Sequence, residues 1–148
     1  MYDDHLYDAF ERGMKTSYPE LCTNIGYEIG PGWYGLVGTL IGQIHAHIKH
    51  NNCFRERLLK DNHQKLPIPE YMEWPTIVQI KEKFGALRFY CDGTDKYIDG
   101  LIDMAETMST QICEKCGNVG HVRKGGWLVT LCDKHYQERL ERMNDYTD

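Results

Sequence analysis

Two pairs of potential metal ligands constrain the fold of this chain more than any other sequence feature. Cys113-x2-Cys116 and Cys132-x2-His135 are separated by fifteen residues, the spacing at which two ligand pairs close a tetrahedral zinc site. Three thiolates and one imidazole fill all four positions and leave none for water or substrate. The sequence therefore predicts a structural Zn2+ bound by Cys113, Cys116, Cys132 and His135, with no catalytic residue among them.

The residues around these ligands predict a definite local arrangement. Gly117 follows the first pair and suits a tight knuckle, a sharp backbone turn that lets amides face the sulfurs. HVRKGGWLVTL indicates two short strands. CDKHYQERLERM indicates a helix whose start favours a thiolate at Cys132 and in which Glu138 and Arg142 form a supporting pair. A knuckle, a hairpin and ligands on the first turn of a helix resemble the treble-clef zinc finger family.

Patterns in the rest of the chain predict an α+β fold. Apolar residues at helical spacing indicate helices over residues 3–15, from Trp33 through Ile48, and over 96–111. TIVQIKEKFGALRFYCDG indicates a hairpin that turns at Gly85. The predicted fold has a helical N-terminal half, a β-hairpin plus helix, and a C-terminal treble-clef-like zinc module. We expect residues 1–112 to form a core and residues 113–148 a zinc-binding module packed on it, together one compact unit.

The second helix contains residues that are unusual in a helix interior. Each internal glycine costs roughly 1 kcal/mol relative to alanine, so another element is expected to pack closely against this helix at Gly35, Gly38 and Gly42. Three histidines follow on the same helix, and we interpret them as solvated surface residues rather than a second metal site: His45, His47 and His50.

Alternation along the hairpin assigns its side chains to two faces. The predicted apolar face consists of Val78, Ile80, Phe84, Leu87, Phe89 and Cys91. Although the net charge of the chain is -5, the segments 76–91 and 113–135 each carry +2 when Lys and Arg are summed against Asp and Glu. We predict a basic and aromatic binding surface formed by Lys81, Lys83, Arg88, Tyr90, Arg123, Lys124 and Trp127. The alternative is an ordinary solvated sheet face with Trp127 packed inside.

Composition indicates a cytoplasmic protein with reduced cysteines. The acidic start MYDDHLYDAFERG lacks the pattern of a secretory signal, and the longest uncharged stretch, Ile29 to Lys49, is too polar to span a bilayer. In a reducing compartment clustered cysteines favour metal binding over disulfides. The scattered cysteines are predicted to be small buried apolar groups: Cys22, Cys53 and Cys91.

Several short motifs occur in a fixed order between residues 76 and 136. VQIKEKFGALRFY is followed by MAETMSTQICEKCG and then by GGWLVTLCDKH. In this order they resemble a recurring set of small uncharacterised phage- and prophage-type zinc proteins. The resemblance implies a phage or mobile-element setting, with a host cytoplasm as the location, and a structural zinc. It implies no established activity.

These observations favour a binding protein over an enzyme. The predicted function is that of a zinc-stabilised, non-enzymatic protein of phage type that engages a host or phage protein, with a defence component as one such target. The alternative is binding of nucleic acid or a nucleotide through the basic and aromatic surface. A nuclease is less well supported, because His121 lies in the hairpin without the partner residues of metal-supported nucleases. We expect no membrane partner, and the chain is compatible with a homo-oligomer.

Overall fold

Helices dominate the first sixty residues, as their apolar spacing predicts, and β-structure follows. The computed structural model describes residues 3–146 and confirms the α+β fold class. In chain order the elements are α1 (Asp4–Ser17), β1 (Tyr27–Glu28), a short 3-10 helix (Pro31–Trp33), α2 (Tyr34–Lys60), β2 (Thr76–Lys83), β3 (Ala86–Asp92), α3 (Lys96–Ser109), β4 (His121–Arg123), β5 (Val129–Leu131) and α4 (Asp133–Asp145). In the described part of the chain, no helix is long and apolar enough to cross a membrane.

Helix α2 forms the centre of the hydrophobic core. Its inward residues recur every three or four positions and are almost completely buried: Val37, Leu40, Ile41, Ile44 and Ile48. Trp33 is also fully buried, directly before the helix begins. The polar pattern of residues 53–64 is compatible with either a helix or a loop, and most of this segment is helical because α2 continues to Lys60.

The glycines of α2 face different environments. A Cβ at Gly38 would lie 3.6 Å from the Phe10 ring, and one at Gly42 would lie 2.8 Å from the hydroxyl of Tyr18. Helix α1 and the residue after it therefore pack closely against these two positions, which confirms the expected close approach. Among residues 3–146 no atom lies within 4 Å of a Cβ built at Gly35, so the expected close approach is wrong at this position.

Strands β1, β2 and β3 form one sheet in that order, with β1 parallel and β3 antiparallel to β2. A register shift between Ile77 and Gln79 leaves Val78 as an extra residue in β2. Ile77 and Ile80 consequently face the core, whereas Val78 is exposed. The predicted apolar face is therefore wrong at Val78, and also at Phe84, which lies in the turn and is exposed.

The free edge of β3 is covered by side chains of α3. The backbone N–H of Leu87 donates to Ser109 Oγ at 2.9 Å, and that of Phe89 donates to Glu106 Oε2 at 3.0 Å. Unpaired strand N–H groups need acceptors, and this need explains why Ser109 is completely buried and why Glu106 faces the sheet. The helical spacing of residues 96–111 predicts Met108 inward and Glu106 outward, and both assignments are wrong, since Met108 is exposed and Glu106 bonds to the sheet.

The segment 30–33 contacts the stretch that carries the first two cysteines. The backbone N–H of Gly32 donates to the carbonyl of Glu114 at 2.7 Å, and Trp33 Nε1 donates to the carbonyl of Ile112 at 2.8 Å. On another side, the hydroxyl of Thr130 donates to the carbonyl of Gly85. Residues beyond 112 are therefore bonded both to the start of α2 and to the β2–β3 turn.

The cysteines outside the cluster differ in burial. Cys22 is buried and Cys91 is half-buried, as expected of small apolar side chains. Cys53 is exposed, so that part of the prediction is wrong: α2 extends past the core and carries this residue on its outer side.

We predict that Gly32→Ala destabilises the protein and that Gly35→Ala does not. A Cβ at position 32 would overlap the carbonyl oxygen of Cys113 and lie 2.6 Å from backbone atoms of Glu114 and Gly117. The expected loss in free energy of unfolding is at least about 2 kcal/mol. Gly35→Ala should leave stability unchanged or raise it by up to about 1 kcal/mol, since alanine favours helix. Urea unfolding of both variants measures the difference, and equal stabilities would contradict the described contact.

Candidate metal centre

The four predicted ligands come together from two segments, one on each side of the β4–β5 hairpin. Cys113 and Cys116 lie on the turn after α3, closed by a bridge between Ile112 and Val119. Cys132 is the N-cap residue of α4, and His135 lies in the first turn of that helix. This order of knuckle, β4–β5 hairpin and helix is the treble-clef-like arrangement expected from the sequence.

The distances among the ligand atoms fit one tetrahedral ion. All four atoms lie within 4.8 Å of one another. With Zn–S near 2.3 Å and Zn–N near 2.0 Å, tetrahedral angles require about 3.8 Å between two sulfurs and about 3.5 Å between sulfur and nitrogen. The sulfurs of Cys116 and Cys132 are 3.8 Å apart, and His135 Nδ1 lies 3.6 Å from the sulfur of Cys113 and 3.2 Å from that of Cys132. The cluster can therefore hold a metal ion.

Backbone hydrogen bonds shape the knuckle and act on the sulfurs. The N–H of Cys113 donates to the carbonyl of Asn118 at 2.7 Å, and that of Gly117 donates to the carbonyl of Cys113 at 2.9 Å. Gly117 has a φ of 83°, the left-handed conformation that favours glycine. The backbone N–H of His135 donates to the sulfur of Cys132 and is the main cause that lowers the pKa of this thiol. This agrees with the thiolate predicted at the start of α4.

The side chains around the ligands hold the hairpin and helix together. Arg123 donates to the carbonyl of Leu131 at 3.0 and 3.1 Å and to Asp133 at 2.8 Å, and its guanidinium lies 4.5 Å from the centre of the Tyr136 ring. The Arg123 side chain is therefore engaged in contacts within the fold. Within residues 3–146 Glu138 makes no ion pair with Arg142, contrary to the prediction; its carboxylate lies 4.0 Å from Nε2 of His135.

Glu114 joins the metal centre to the main core, and sequence reasoning missed it. Its side chain is only 7% exposed, and its Oε2 accepts the backbone N–H of Gly30 at 2.9 Å. Burial raises the pKa of Glu114 to about 7, against the lowering effect of this hydrogen bond. The contact spans more than eighty residues of sequence and has no local pattern that could have indicated it.

The predicted binding residues on the sheet lie on one face, which carries mixed charge. Lys81 pairs with Arg88, and Gln79 pairs with Tyr90, across β2 and β3. Glu28 of β1 is the partner of Lys81 in the parallel register and adds an acidic group next to it. Lys81 and Arg88 are half-buried, whereas Tyr90 is exposed.

The two hairpin turns lie side by side and expose aromatic and basic residues. A Cβ at Gly85 would lie 3.5 Å from Val122, which places the β2–β3 turn against the β4–β5 hairpin. Trp127 is 73% exposed, so the alternative in which it packs inside is wrong. We define the hairpin-tip surface as the exposed residues of these turns: Lys83, Phe84, Val122, Lys124 and Trp127.

The histidines of α2 do not form a second metal site. His45 Nε2 lies 2.9 Å from Glu20, and His47 Nε2 lies 2.7 Å from Asp95. Both are half-buried, so the prediction of solvated residues is wrong for them and agrees with the structure only for the exposed His50. Among the described residues, Cys113, Cys116, Cys132 and His135 are the one group of three or more His, Cys, Asp or Glu that could hold a metal ion.

Comparisons of the chain with protein-family models, with curated proteins and with solved structures gave no significant match.

We predict that Cys132→Ser abolishes stoichiometric metal binding, whereas Cys53→Ser leaves it intact. Structural metal binding contributes roughly 10 kcal/mol or more to folding, so the loss of one ligand should also lower the midpoint of thermal unfolding. Cys53→Ser is the control, because it makes the same substitution at an exposed cysteine that is distant in sequence from the cluster. Metal analysis by mass spectrometry and thermal unfolding test this. A Cys132→Ser protein with unchanged metal content would contradict it.

We predict that Glu114→Ala destabilises the protein more than Glu114→Gln. Alanine leaves the buried N–H of Gly30 without an acceptor, which costs about 1–3 kcal/mol. Glutamine keeps an acceptor oxygen and should retain most of the stability. The free energy of unfolding, measured in urea with saturating metal, distinguishes the two, and Glu73→Ala on the surface serves as the control. A glutamine variant as unstable as the alanine variant would refute this role.

Proposed function

We propose that the metal is Zn2+ and that its role is structural. Three sulfurs and one imidazole nitrogen are a ligand set typical of structural zinc, and the separations of 3.6 and 3.8 Å between ligand atoms are close to those expected around a tetrahedral Zn2+. A closed set leaves no open position for a water or a substrate. The residues His135, Cys113, Cys116 and Cys132 would hold the ion, and the ion would stabilise the knuckle against helix α4.

We also propose that the protein is a non-enzymatic, phage-type binding protein that engages a host or phage protein through the hairpin-tip surface. The observation that carries this proposal is the exposure of two large aromatic side chains on adjacent turns, 67% for Phe84 and 73% for Trp127. By contrast, Trp33 is completely buried. Exposed aromatic residues that serve no core are typical anchors of protein interfaces.

The backbone conformation of Phe84 supports this proposal. Phe84 and Gly85 have φ angles of 55° and 81° and form the two central positions of the β2–β3 turn. Asparagine or glycine normally occupies the first of these positions. A bulky residue in the left-handed region costs about 1–2 kcal/mol. A costly, exposed phenylalanine is better explained by contact with a partner than by the stability of the turn.

The partners of the motif residues indicate the same surface. Several polar residues of the motifs that resemble phage-type proteins are used inside the fold: Glu82, Glu106, Ser109 and Thr130. Phe84 and Trp127 belong to the same motifs but extend outward. In a phage setting, a host protein such as a defence component is a suitable target for this surface.

Nucleic-acid binding is the second candidate, and the cations beside the aromatic rings favour it. Lys83 Nζ lies 5.5 Å from the centre of the Phe84 ring, and Lys124 is exposed three residues before Trp127. Bases can stack on such rings while lysines contact phosphates. Two observations weigh against it: Glu28 lies next to Lys81, and Arg123 is engaged within the fold.

We predict that a variant with both Phe84→Asn and Trp127→Ala loses its partner without losing its fold. Asparagine suits the positive φ at position 84, so this turn should be as stable as before or more stable. In affinity purification from expressing cells, the wild-type protein should retain a specific protein after nuclease treatment, and the double variant should retain at least about tenfold less.

Tyr71→Ala is the matched control, because Tyr71 is also an exposed aromatic residue but lies in the segment before β2. It should retain the partner as the wild type does. Equal recovery by the double variant would contradict the proposed surface. Recovery that nuclease abolishes, together with steep salt dependence, would favour the nucleic-acid candidate.

A further inference from the structure

A separate pocket of about 260 Å³ opens between the knuckle, strand β5 and helix α4. It lies on the side of the metal module that faces α4. The metal ligand His135 is part of its wall, but the proposed function gives no role to the cationic side chains around it. The residues that matter for its chemistry are Lys115, Val129, Leu131, Arg139, Arg142 and Met143.

The floor of the pocket is apolar. Leu131 is buried and Val129 is half-buried on β5, and Met143 on α4 contributes a flexible apolar wall. Apolar surface of this kind favours an apolar group over water. The pocket volume lies just below the range typical of sites for drug-sized ligands, about 300–1,000 Å³. It therefore suits a group about as large as one amino-acid residue rather than a whole nucleotide.

The rim of the pocket is cationic. Arg139 and Arg142 are three residues apart on α4 and share one face of the helix, and Lys115 faces them from the knuckle. Arg139 also donates to the carbonyl of Trp127 at 3.2 Å, which holds its side chain in place. Within residues 3–146 no carboxylate lies within ion-pair distance of Lys115 or Arg142.

One acidic residue, Glu114, also lines the pocket. One of its oxygens already accepts the N–H of Gly30, and the side chain is buried. The pocket therefore has three cationic side chains, Lys115, Arg139 and Arg142, and one carboxyl group, which is hydrogen-bonded to the main core. A ligand with a negative group at the rim and an apolar group at the floor would complement both parts of the pocket.

We infer that this pocket binds a carboxylate attached to a single apolar side-chain-sized group. The carboxylate would contact Arg142 and Lys115, with Arg139 beside them, and the apolar group would contact Val129, Leu131 and Met143. Two sources supply this chemistry: a free amphiphilic acid, or the carboxyl-terminal residue of a polypeptide. The site does not use Phe84 or any other residue of the β2–β3 turn, so it can exist whether or not the hairpin-tip surface binds a partner.

The test is an NMR titration of the metal-saturated full chain at pH 7 with N-acetylphenylalanine and, separately, with its carboxamide. The acid should produce saturable amide shifts centred on Lys115, Val129, Arg139 and Arg142, and it should bind at least about tenfold more tightly than the amide. Arg142→Gln should weaken binding of the acid by about tenfold. Arg57→Gln, an exposed arginine in the last turn of α2, should bind like the wild type.

A short peptide that ends in phenylalanine with a free carboxylate distinguishes the two sources. Tighter binding of the peptide than of the free acid assigns the site to a chain terminus, and exclusion of the peptide assigns it to a small molecule. The proposal is overturned if no saturable shifts occur, if the acid and the amide bind equally, if Arg142→Gln binds like the wild type, or if the shifts centre elsewhere. Because Arg142 is exposed, the ligand-free variant should be folded and should give an amide spectrum like that of the wild type.

Discussion

The four ligand atoms of Cys113, Cys116, Cys132 and His135 converge within 4.8 Å, and we propose that the segment from residue 113 onward depends on a metal ion bound there. The buried apolar cluster of this region is small and consists of Cys113, Leu131 and Cys132 with two half-buried neighbours. A core of this size cannot offset the conformational entropy of ordering the knuckle, the hairpin and helix α4. A metal ion bound by the four ligands would cross-link the knuckle to α4 and would supply the missing free energy.

The same cross-link would also act outside the metal module. It would hold the backbone of Glu114 in place, and this residue receives hydrogen bonds from both Gly30 and Gly32. Those contacts position the start of α2, the helix that forms the centre of the main core. The hydroxyl of Thr130 meanwhile binds the carbonyl of Gly85, which places the two hairpin turns side by side. The proposed partner surface and the cationic pocket both lie on elements that this arrangement orients.

The features that could be predicted from the sequence are those carried by local spacing. The paired ligands, the helical period of α2 and the strand–turn–strand pattern before Asp92 all extend over a few residues and are found in the structure. The bulge at Val78 could not be predicted, because an extra residue in a strand leaves no signal in an alternating pattern. Because of the bulge, Ile77 lies on the apolar face in place of the predicted Val78.

Residues whose partners are distant in sequence were the main omissions. Glu106 and Ser109 accept hydrogen bonds from the edge strand β3, and Glu114 accepts one from Gly30. Their roles depend on which elements become neighbours after folding, which local patterns do not specify. The exposure of Trp127 could not be predicted from local pattern either, since an apolar residue between two short strands can face either side.

We propose that a saturated metal centre, rather than an open reactive one, stabilises the segment from residue 113 onward and orients the surfaces built on it. X-ray absorption spectroscopy of the protein loaded with one equivalent of zinc tests this most directly. We expect a shell of three sulfurs near 2.3 Å and one nitrogen near 2.0 Å, with no additional oxygen. Fewer than three sulfurs, or a bound water in the first shell, would contradict it.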